Sequence, residues 1–388
     1  MVDLKIVPIT PRRIHNHTFP VAYHLSGPAS QSDVEQLLKA KSEEGFFNSV
    51  LKEHGAIVLR LGNPDPAVLS TYIKIIGKGS GDSPFQQIGS TAQRTQITDI
   101  LTNANESSPE LEIFQHNEFS RFNRYPTKLY FACSKYEVTK SDGGEGKDGP
   151  NGADHPHSSV QTIGQTPLVH GRELFDALQQ KVPLLITELS KRGLYMEQVW
   201  KYETDDHTGW TDKYSFGRDI LEGDSLEQKK KKAEPLIAEY VSKDFHWDPS
   251  TNDLIVGEHT QPLRTYENES ESYGVSFNSI PTFYAGMKYK KNSYGKTRSI
   301  SYDDGGEISE YYLDTILETS RELEYNHEWE EGDIVIVDNY QVSHGRKPWK
   351  GVKKVLVSMW DKPSKAKFEG WTKVVQYLGM RDAPLDVC

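Results

Sequence analysis

Residues 330–346 read EEGDIVIVDNYQVSHGR, and a second apolar run, KKVLVSMW, follows at residues 353–360. Both runs are rich in the β-branched side chains that favour strands, and a turn separates them. The first run indicates a buried strand that ends in polar residues, which would hold His344 rigidly just past the strand. Taken alone, His344 fits a capping or core histidine better than a metal ligand.

The rest of the chain combines short strands with a few separate helices. Further strands are predicted over residues 54–61 and 125–133. Helical periodicity predicts helices over residues 31–53, 66–79, 172–193, 225–243 and 309–324. Pro183 must break or kink the third of these helices, because proline cannot complete the helical hydrogen bonding. The pattern predicts an α+β fold around a β-core.

Composition excludes several classes of protein. The 388 residues include 20 Tyr, 14 Phe and 7 Trp, which a disordered chain would lack. The formal net charge of -11 argues against a nucleic-acid-binding protein. No segment approaches the ~20 apolar residues of a membrane span, and the N-terminus has no apolar leader segment.

The cysteine content predicts a reducing compartment. The two cysteines, Cys133 in an apolar run and Cys388 at the end of the chain, do not suggest a disulfide framework. We therefore expect a soluble cytoplasmic protein, in which the glycosylation sequons at Asn105 and Asn268 are fortuitous.

Residues 140–159 read KSDGGEGKDGPNGADHPHSS and predict an irregular loop. The glycines lack the lysine-ended spacing of a phosphate-binding loop, so a nucleotide site is rejected. Asp154, His155 and His157 could bind a metal, but a surface loop is the better interpretation.

His116, in the segment FQHNE at residues 114–118, offers a better metal site than this loop. In an extended segment, His116 and Glu118 project to the same side and can chelate one metal ion. A lone His-x-Glu is common by chance. With His344, however, the two complete a set of two histidines and one carboxylate. Such a set suits Fe(II) and leaves positions open for a co-substrate and O₂.

Several ordered motifs resemble one enzyme family. HNEFS at 116–120, followed by YPTKLYFAC at 125–133, resembles the signature of the TauD/TfdA-like superfamily, especially its clavaminate synthase-like branch of Fe(II)/2-oxoglutarate dioxygenases. The matches extend over about residues 54 to 360. Further similar segments are GQTPL at 164–168, Phe277-Asn278, the GD…DN…HGR…PW series at 332–349, and Arg94 at the position of a family arginine.

This resemblance implies a fold and a set of roles. The fold would be a double-stranded β-helix, or jelly roll, with flanking helices in one domain over residues 1–388. Insertions at about 134–162 and 200–270 look like lids over the substrate pocket. Iron would lie on His116, Glu118 and His344, and Thr166 would contact 2-oxoglutarate. The resemblance also implies that Phe277, Asn278 and Arg94 bind the substrate.

The anchor for the far carboxylate of 2-oxoglutarate departs from the family pattern. The family has an arginine ten to fourteen residues after the distal histidine, where Lys354 aligns here. Lysine supplies the charge, but as a point charge rather than a planar fork. Arg346 is an alternative anchor.

Three functions remain open from the sequence. The first is an Fe(II)/2-oxoglutarate-dependent oxygenase that acts on a small molecule, an amino acid or a derived metabolite. It would release succinate and CO₂ and cause hydroxylation, desaturation or cyclisation; Glu118 argues against halogenation. The second is an iron oxygenase that does not use 2-oxoglutarate. The third is a catalytically silent binding protein on the same scaffold. Tyr273, Trp200 and Trp210 could line a pocket, although aromatic residues more often belong to the core.

Overall fold

The computed structural model describes residues 2–89, 94–104, 106–139, 163–204, 208–267, 272–289 and 297–362. The glycine-rich 140–159 segment, with Asp154, His155 and His157, lies outside the described residues. Asn105, Asn268 and Cys388 also lie outside them.

Helices form where the sequence supplies caps. Ser30 and Asp33 form a reciprocal capping box at the start of α1, and Ser225 with Gln228 does the same for α6. Asp65 caps α3, in which Pro66 occupies the first turn. The α-helices of the described residues are α1 (Gln31–Glu43), α2 (Phe46–His54), α3 (Pro66–Gly79), α4 (Gly171–Lys181), α5 (Pro183–Arg192), α6 (Leu226–Leu236), α7 (Ile280–Tyr289) and α8 (Glu310–Glu322).

The strands are mostly short. In chain order they are β1 (Leu4–Ile6), β2 (Arg13–Ile14), β3 (His17–Thr18), β4 (Val21–Leu25), β5 (Ala56–Arg60), β6 (Ser83–Pro84), β7 (Thr102–Asn103), β8 (Ile113–His116), β9 (Lys128–Thr139), β10 (Thr166–His170), β11 (Leu194–Trp200), β12 (Phe245–Trp247), β13 (Leu254–Thr260), β14 (Leu263–Glu267), β15 (Ser272–Ser276), β16 (Thr297–Ser301), β17 (Tyr325–His327), β18 (Asp333–Asp338), β19 (Val342–Arg346) and β20 (Lys350–Asp361).

The largest sheet has eight strands in the order β1-β4-β5-β18-β9-β20-β6, with β7 also paired to β20. Its centre is β18, whose DIVIVD sequence pairs antiparallel with β5 and with β9. Side chains alternate between the two faces of such a sheet. One face packs against α1 to α3 through Leu38, Ile73 and Trp360, and the other faces the second sheet.

The second sheet has four strands in the order β17-β10-β19-β8. The chain passes from β18 of the first sheet to β19 of the second through only Asn339, Tyr340 and Gln341. The polar end of the 330–346 run is therefore a crossing between sheets. His344 lies inside β19, and the prediction that it follows the end of one strand is wrong.

A third sheet, in the order β12-β13-β11-β16, and two hairpins, β14-β15 and β2-β3, complete the strand pairing. Helices α4, α5, α7 and α8 pack together over a second apolar cluster that includes Phe175 and Leu189. The fold is thus a mixed α/β arrangement of several sheets and flanking helices, as the sequence predicts in outline.

Three predicted helices are interrupted, each for a local reason. The 31–53 helix is split at Gly45, whose φ of +79° lies in the left-handed region that glycine adopts readily. The break predicted at Pro183 is confirmed, because α4 ends at Lys181 and α5 starts at Pro183. The 225–243 helix continues beyond Pro235 only as a π-helical turn over Ile237–Val241.

The predicted 200–270 insertion contributes mainly to the core. Trp210 and Phe216 are fully buried, and β13 lies inside the third sheet. Trp200 is equally buried, so both tryptophans belong to the core rather than to a pocket. None of the described helices is both long and apolar enough to cross a membrane.

Gly77 provides a test of how α3 packs on the first sheet. A Cβ atom there would lie 2.7 Å from the Trp360 ring, whereas one at Gly223 would meet nothing within 4 Å. We expect Gly77→Val to lower the free energy of unfolding by about 1 to 3 kcal/mol through overpacking. Urea denaturation checks this, with Gly223→Ala as the control. Equal midpoints for the Gly77 variant and the unmodified chain would contradict it.

Candidate active site

The two histidines and the glutamate predicted from the sequence meet in space. Ligand atoms of His116, Glu118 and His344 all lie within 4.8 Å of one another. Glu118 Oε2 is 3.8 Å from His116 Nε2 and 3.5 Å from His344 Nε2. Two ligands about 2.1 Å from one metal ion and at right angles are about 3 Å apart. The side chains therefore fit one ion with a small inward movement.

Strand register brings the two histidines together. His344 on β19 pairs directly with His116 at the end of β8, and their ring centroids are 4.3 Å apart. His116 Nδ1 is 3.0 Å from the carbonyl oxygen of Phe114. A proton donated from Nδ1 to that oxygen leaves Nε2 as the lone-pair atom, which is the tautomer a metal ligand requires.

Glu118 reaches the site from a turn rather than from a strand. The sequence predicts an extended segment through both ligands, but β8 ends at His116. Phe119, the next residue after Glu118, has a φ of +53°, which is uncommon for a residue with a side chain. This left-handed residue turns the chain immediately after the carboxylate. Such local strain is often found at functional sites.

The ionisation states suit metal binding. Burial, with a contribution from His344, lowers the pKa of His116 to about 4, so the imidazole is neutral at physiological pH. Burial alone would raise the pKa of Glu118. The Arg94 guanidinium and the two imidazoles outweigh burial and lower that pKa well below its usual range. The site thus presents a neutral imidazole at His116 and an ionised carboxylate at Glu118.

A buried asparagine fixes the backbone at Glu118. Asn339 Oδ1 accepts a 2.8 Å hydrogen bond from the Glu118 N–H, and Asn339 Nδ2 donates to the carbonyl oxygens of Glu118 and Pro126. Asn339 is fully buried at the crossing from β18 to β19. The same crossing that leads to His344 therefore also holds the turn that carries Glu118.

Asn117 joins this turn to the segment before α7. Its Nδ2 donates to the Asn339 carbonyl oxygen at 2.8 Å, and its Oδ1 accepts from the Asn278 N–H at 3.0 Å. Asn278 Nδ2 in turn donates to Ser276 Oγ. The structure thus gives Asn278 a backbone contact with Asn117 and does not place it among the cavity-lining residues.

Phe277 also lies away from the cavity. It is buried between Tyr125 and Tyr340, and the Arg264 guanidinium lies 3.7 Å from its ring centroid. Tyr273 is likewise a core residue, whose hydroxyl donates to Gln341 Oε1 at 2.7 Å.

Arg94, expected on the substrate side, contacts the carboxylate instead. Its Nη2 donates to Glu118 Oε1 at 3.0 Å, while Glu118 Oε2 faces the histidines. Arg94 also lines the cavity. Its clearest role in the structure is to orient Glu118 and to keep it ionised.

The three side chains open into a cavity of about 280 Å³ between the first and second sheets. Phe131, Val355 and Val357 of the first sheet form one wall, and α7 contributes another. Within the described residues, the charged side chains of the lining comprise five cations and one carboxylate. They are Arg94, Arg121, Arg346, Lys353, Lys354 and Glu118. The electrostatic field of the cavity favours anionic ligands.

Thr166 lines the cavity, and its hydroxyl oxygen already accepts one hydrogen bond. Its Oγ1 accepts a 3.1 Å hydrogen bond from Trp329 Nε1, which leaves the hydroxyl proton free to donate. Thr166 is on β10, next to the strand that carries His344. It can therefore contact a carboxylate bound beside the metal.

Lys353 and Lys354 both border the cavity, and Lys353 is the less exposed of the two. Lys353, Val355 and Val357 share one face of β20, and both valines line the cavity. Lys353 Nζ donates to the Gly164 carbonyl oxygen and lies 5.1 Å from the Trp349 ring centroid. Lys354 belongs to the opposite face and is exposed. Strand alternation was the signal in the sequence that could have distinguished them.

The guanidinium of Arg346 is hydrogen-bonded to the neighbouring loop at residues 107–111. Its Nη2 donates to Ser107 Oγ and to the carbonyl oxygens of Ser108 and Leu111, at 2.8 to 2.9 Å. The guanidinium therefore organises the loop at the cavity rim. This commitment makes Arg346 a weaker candidate than Lys353 for an anion anchor.

A second group of metal-ligand type, His17, Glu53 and His54, lies at the surface. Glu53 is exposed, and its Oε1 lies 2.8 Å from His17 Nδ1. Cys133 is buried in β9, and burial raises the pKa of its thiol to about 12, so it is not a reactive nucleophile.

Two imidazoles and one carboxylate in a basic cavity define a mononuclear non-haem metal enzyme. Residues 20–360 match the model of the taurine catabolism dioxygenase TauD, TfdA family, and the chain belongs to this family. Its members are Fe(II)- and 2-oxoglutarate-dependent dioxygenases. The chain is therefore an oxidoreductase that uses iron(II), 2-oxoglutarate and O₂.

Individual relatives are distant in sequence. A clavaminate synthase-like protein of Arabidopsis thaliana is 25% identical over 371 residues, covering 92% of this chain and 99% of the relative. The dapdiamide synthesis protein DdaC of Enterobacter agglomerans is 20% identical over 360 residues, covering 89% and 95%. The solved structure of the non-haem iron oxygenase OrfP with Fe, succinate and (3S)-hydroxy-L-Arg is 11% identical, covering 88% and 94%, with a TM-score of 0.44.

Replacement of Asn339 tests its role in holding Glu118. Asn339→Ala leaves the Glu118 N–H buried without its acceptor, so we expect a loss of about 3 kcal/mol in unfolding free energy. Fe(II) affinity should fall at least about tenfold, as for other residues that orient ligands. Calorimetric Fe(II) titration and urea denaturation measure both effects. The exposed Asn326→Ala is the control, and unchanged iron affinity in Asn339→Ala would refute the role.

Proposed function

We propose that His116, Glu118 and His344 bind the iron and that the enzyme abstracts hydrogen from a small-molecule substrate. The substrate class proposed is an amino acid or an amino-acid-derived metabolite. The outcome would be hydroxylation, desaturation or cyclisation, with release of succinate and CO₂. The observation that carries the proposal is the convergence of the three ligand atoms at one end of a basic cavity.

When bound, iron(II) supplies O₂ activation coupled to oxidative decarboxylation of 2-oxoglutarate. The chain's own residues hold the reactants. Burial keeps His116 neutral, and Arg94 holds Glu118 as an oriented carboxylate. The apolar walls formed by Phe131, Val355 and Val357 limit the access of water.

The two main sheets also support a proposal about the fold. We propose that the eight-stranded and four-stranded sheets form a double-stranded β-helix whose two faces enclose the cavity. Both sheets contribute lining residues, Val357 from one and His344 from the other. We retain a single domain over residues 1–388 with insertions at about 134–162 and 200–270, and a cytoplasmic location. The role of either insertion as a lid stays a prediction.

Two observations support an amino-acid-type substrate. The excess of cations around the cavity suits ligands that carry carboxylates. The Enterobacter relative carries the name of a dapdiamide synthesis protein, and by likeness to it we propose a small-molecule substrate here. A screen of amino acids by mass shift, +16 for hydroxylation and -2 for desaturation or ring closure, would identify the substrate when coupled to succinate release.

Lys353 is the proposed anchor for the far carboxylate of 2-oxoglutarate. Its side chain is on the cavity face of β20, on the same wall as Val355 and Val357. Thr166 supplies a hydroxyl donor from the facing sheet. Arg346 lies nearby but donates to the 107–111 loop.

The iron ligands are tested by removing one of them. We expect His344→Ala to lose Fe(II) affinity by more than about a hundredfold and to lose succinate formation with it, because two ligands remain. The control is His246→Ala, since His246 is exposed on β12. Turnover retained by His344→Ala would overturn the metal assignment. In the unmodified enzyme, O₂ consumption without succinate would overturn the assigned use of 2-oxoglutarate.

The two lysines provide a matched pair for the co-substrate anchor. We expect Lys353→Ala to raise the KM for 2-oxoglutarate about tenfold or more, the effect of losing a charged hydrogen bond. Lys354→Ala should leave this KM within about twofold, because its side chain is exposed on the other face. The reverse order of effects would assign the anchor to Lys354.

The pH dependence of kcat/KM for 2-oxoglutarate supplies a second test of Lys353. Burial and the nearby Arg346 lower the pKa of Lys353 to about 7, and Cys133 opposes this slightly. Lys353 is a cation below that pH and neutral above it, so kcat/KM for 2-oxoglutarate should fall as the pH rises above about 7. Lys353→Arg should shift this loss to higher pH, since arginine stays charged.

A further inference from the structure

Arg121 is a buried cation that the iron and 2-oxoglutarate sites do not use. It lies three residues after Glu118 and lines the cavity. Its Nε is 3.0 and 2.9 Å from the two carboxylate oxygens of Glu258, which is fully buried on β13. The rings of Phe122 and Phe283 flank the guanidinium, each with its centroid 4.6 Å away. These contacts fix the plane of the guanidinium.

The outer nitrogens of Arg121 remain available. Only its Nε takes part in hydrogen bonds with other described residues, so the two Nη nitrogens have no partner among them. A buried ion pair is costly to desolvate, and Glu258 therefore provides a weak reason for Arg121 in terms of stability alone. A rigid guanidinium whose NH₂ groups are unpaired at a cavity wall is suited to bind a carboxylate with two parallel hydrogen bonds.

A second polar group lies on the same wall. Thr282, in the first turn of α7, is 3% exposed and lines the cavity. Its Oγ1 is buried and has no hydrogen-bond partner among the described residues. Its neighbour Ser279, by contrast, is bonded to Ser120 and to the Asn117 carbonyl oxygen. A buried hydroxyl without a partner indicates a missing ligand or water.

The sheet order places this wall away from the proposed 2-oxoglutarate wall. Across the second sheet, Thr166 on β10 is followed by His344 on β19 and then by His116 on β8. Helix α7, which carries Thr282, packs beside β8. The histidines therefore separate Thr166 from the Arg121 and Thr282 wall. A ligand there would lie on the substrate side of the metal.

We propose that Arg121 and Thr282 form a carboxylate-binding subsite for the primary substrate. The subsite rests on the proposed function, and it deepens that proposal by requiring a substrate with a carboxylate. Arg121 binds the carboxylate as a planar fork, and Thr282 donates its hydroxyl proton to the same group. Glu258, Phe122 and Phe283 position Arg121 without contacting the substrate.

Pairs of ligands that differ only in the charge of one group test the subsite. The probes are L-α-amino acids, each compared with its carboxamide, in the presence of 2-oxoglutarate and without oxygen. Binding to the full-length protein is measured by saturation-transfer NMR titration. We expect each acid that binds to do so about tenfold to a hundredfold more tightly than its amide, the effect of a charged hydrogen bond. Equal affinities across the panel, or no binding by any acid, would overturn the subsite.

Variants assign the preference to the named residues. Arg121→Lys keeps a cation opposite Glu258 but removes the planar fork, so the preference for acids over amides should fall about tenfold. Thr282→Val keeps the shape and removes only the hydroxyl, and it should weaken binding of the acids by a smaller factor. Thr187→Val, at a half-buried threonine of α5 that is not among the cavity-lining residues, is the matched control. An undiminished preference in Arg121→Lys would contradict the assignment.

The subsite and the proposed function fail in different ways. Slow formation of succinate by the unmodified enzyme, without any substrate, reports on iron and 2-oxoglutarate alone. If succinate forms but acids and amides bind equally, only the carboxylate subsite is wrong. If acids are preferred but no succinate forms under any condition, the assigned co-substrate chemistry is wrong and the anion site stands.

Discussion

The active site depends on the side-chain amide of one buried residue. Asn339 accepts from the Glu118 N–H and donates to the Glu118 and Pro126 carbonyl oxygens, at the point where the chain passes between the two main sheets. It thereby joins the strand that leads to His344 with the turn that carries Glu118. Proposed ligands that are more than 220 residues apart in the chain are held together by these hydrogen bonds and by the pairing of His344 with His116.

The cationic side chains of the cavity have different roles because each of them is bonded to a different partner. Arg94 is bonded to Glu118 and keeps the carboxylate ionised against the effect of burial. Arg346 is bonded to the loop at the rim, and Arg121 is bonded to Glu258. Lys353 lies near the Gly164 carbonyl and the Trp349 ring. Each partner fixes a cation in position, so the field of the cavity is preorganised before any ligand arrives.

Much of the fold outline could be predicted from local pattern, since capping residues, glycine, proline and β-branched runs act within a few residues. The breaks at Pro183 and Gly45 are examples, whereas the crossing at Asn339 depends on how elements pack. Phe277 and Asn278 show the limit of motif reasoning. Asn278 is hydrogen-bonded to Asn117, which lies between two of the proposed ligands, and Phe277 packs against Arg264, but neither residue lines the cavity.

The sequence by itself determined the types of the proposed metal ligands, their order along the chain and the resemblance to one family. These follow from residue chemistry and spacing, which no packing alters. Only the tertiary structure decided that Arg94 faces Glu118 and that Arg121 presents its outer nitrogens to the cavity. Each of these depends on the direction of a side chain relative to a distant element. Strand register and long-range hydrogen bonds set that direction, and neither can be read from neighbouring residues.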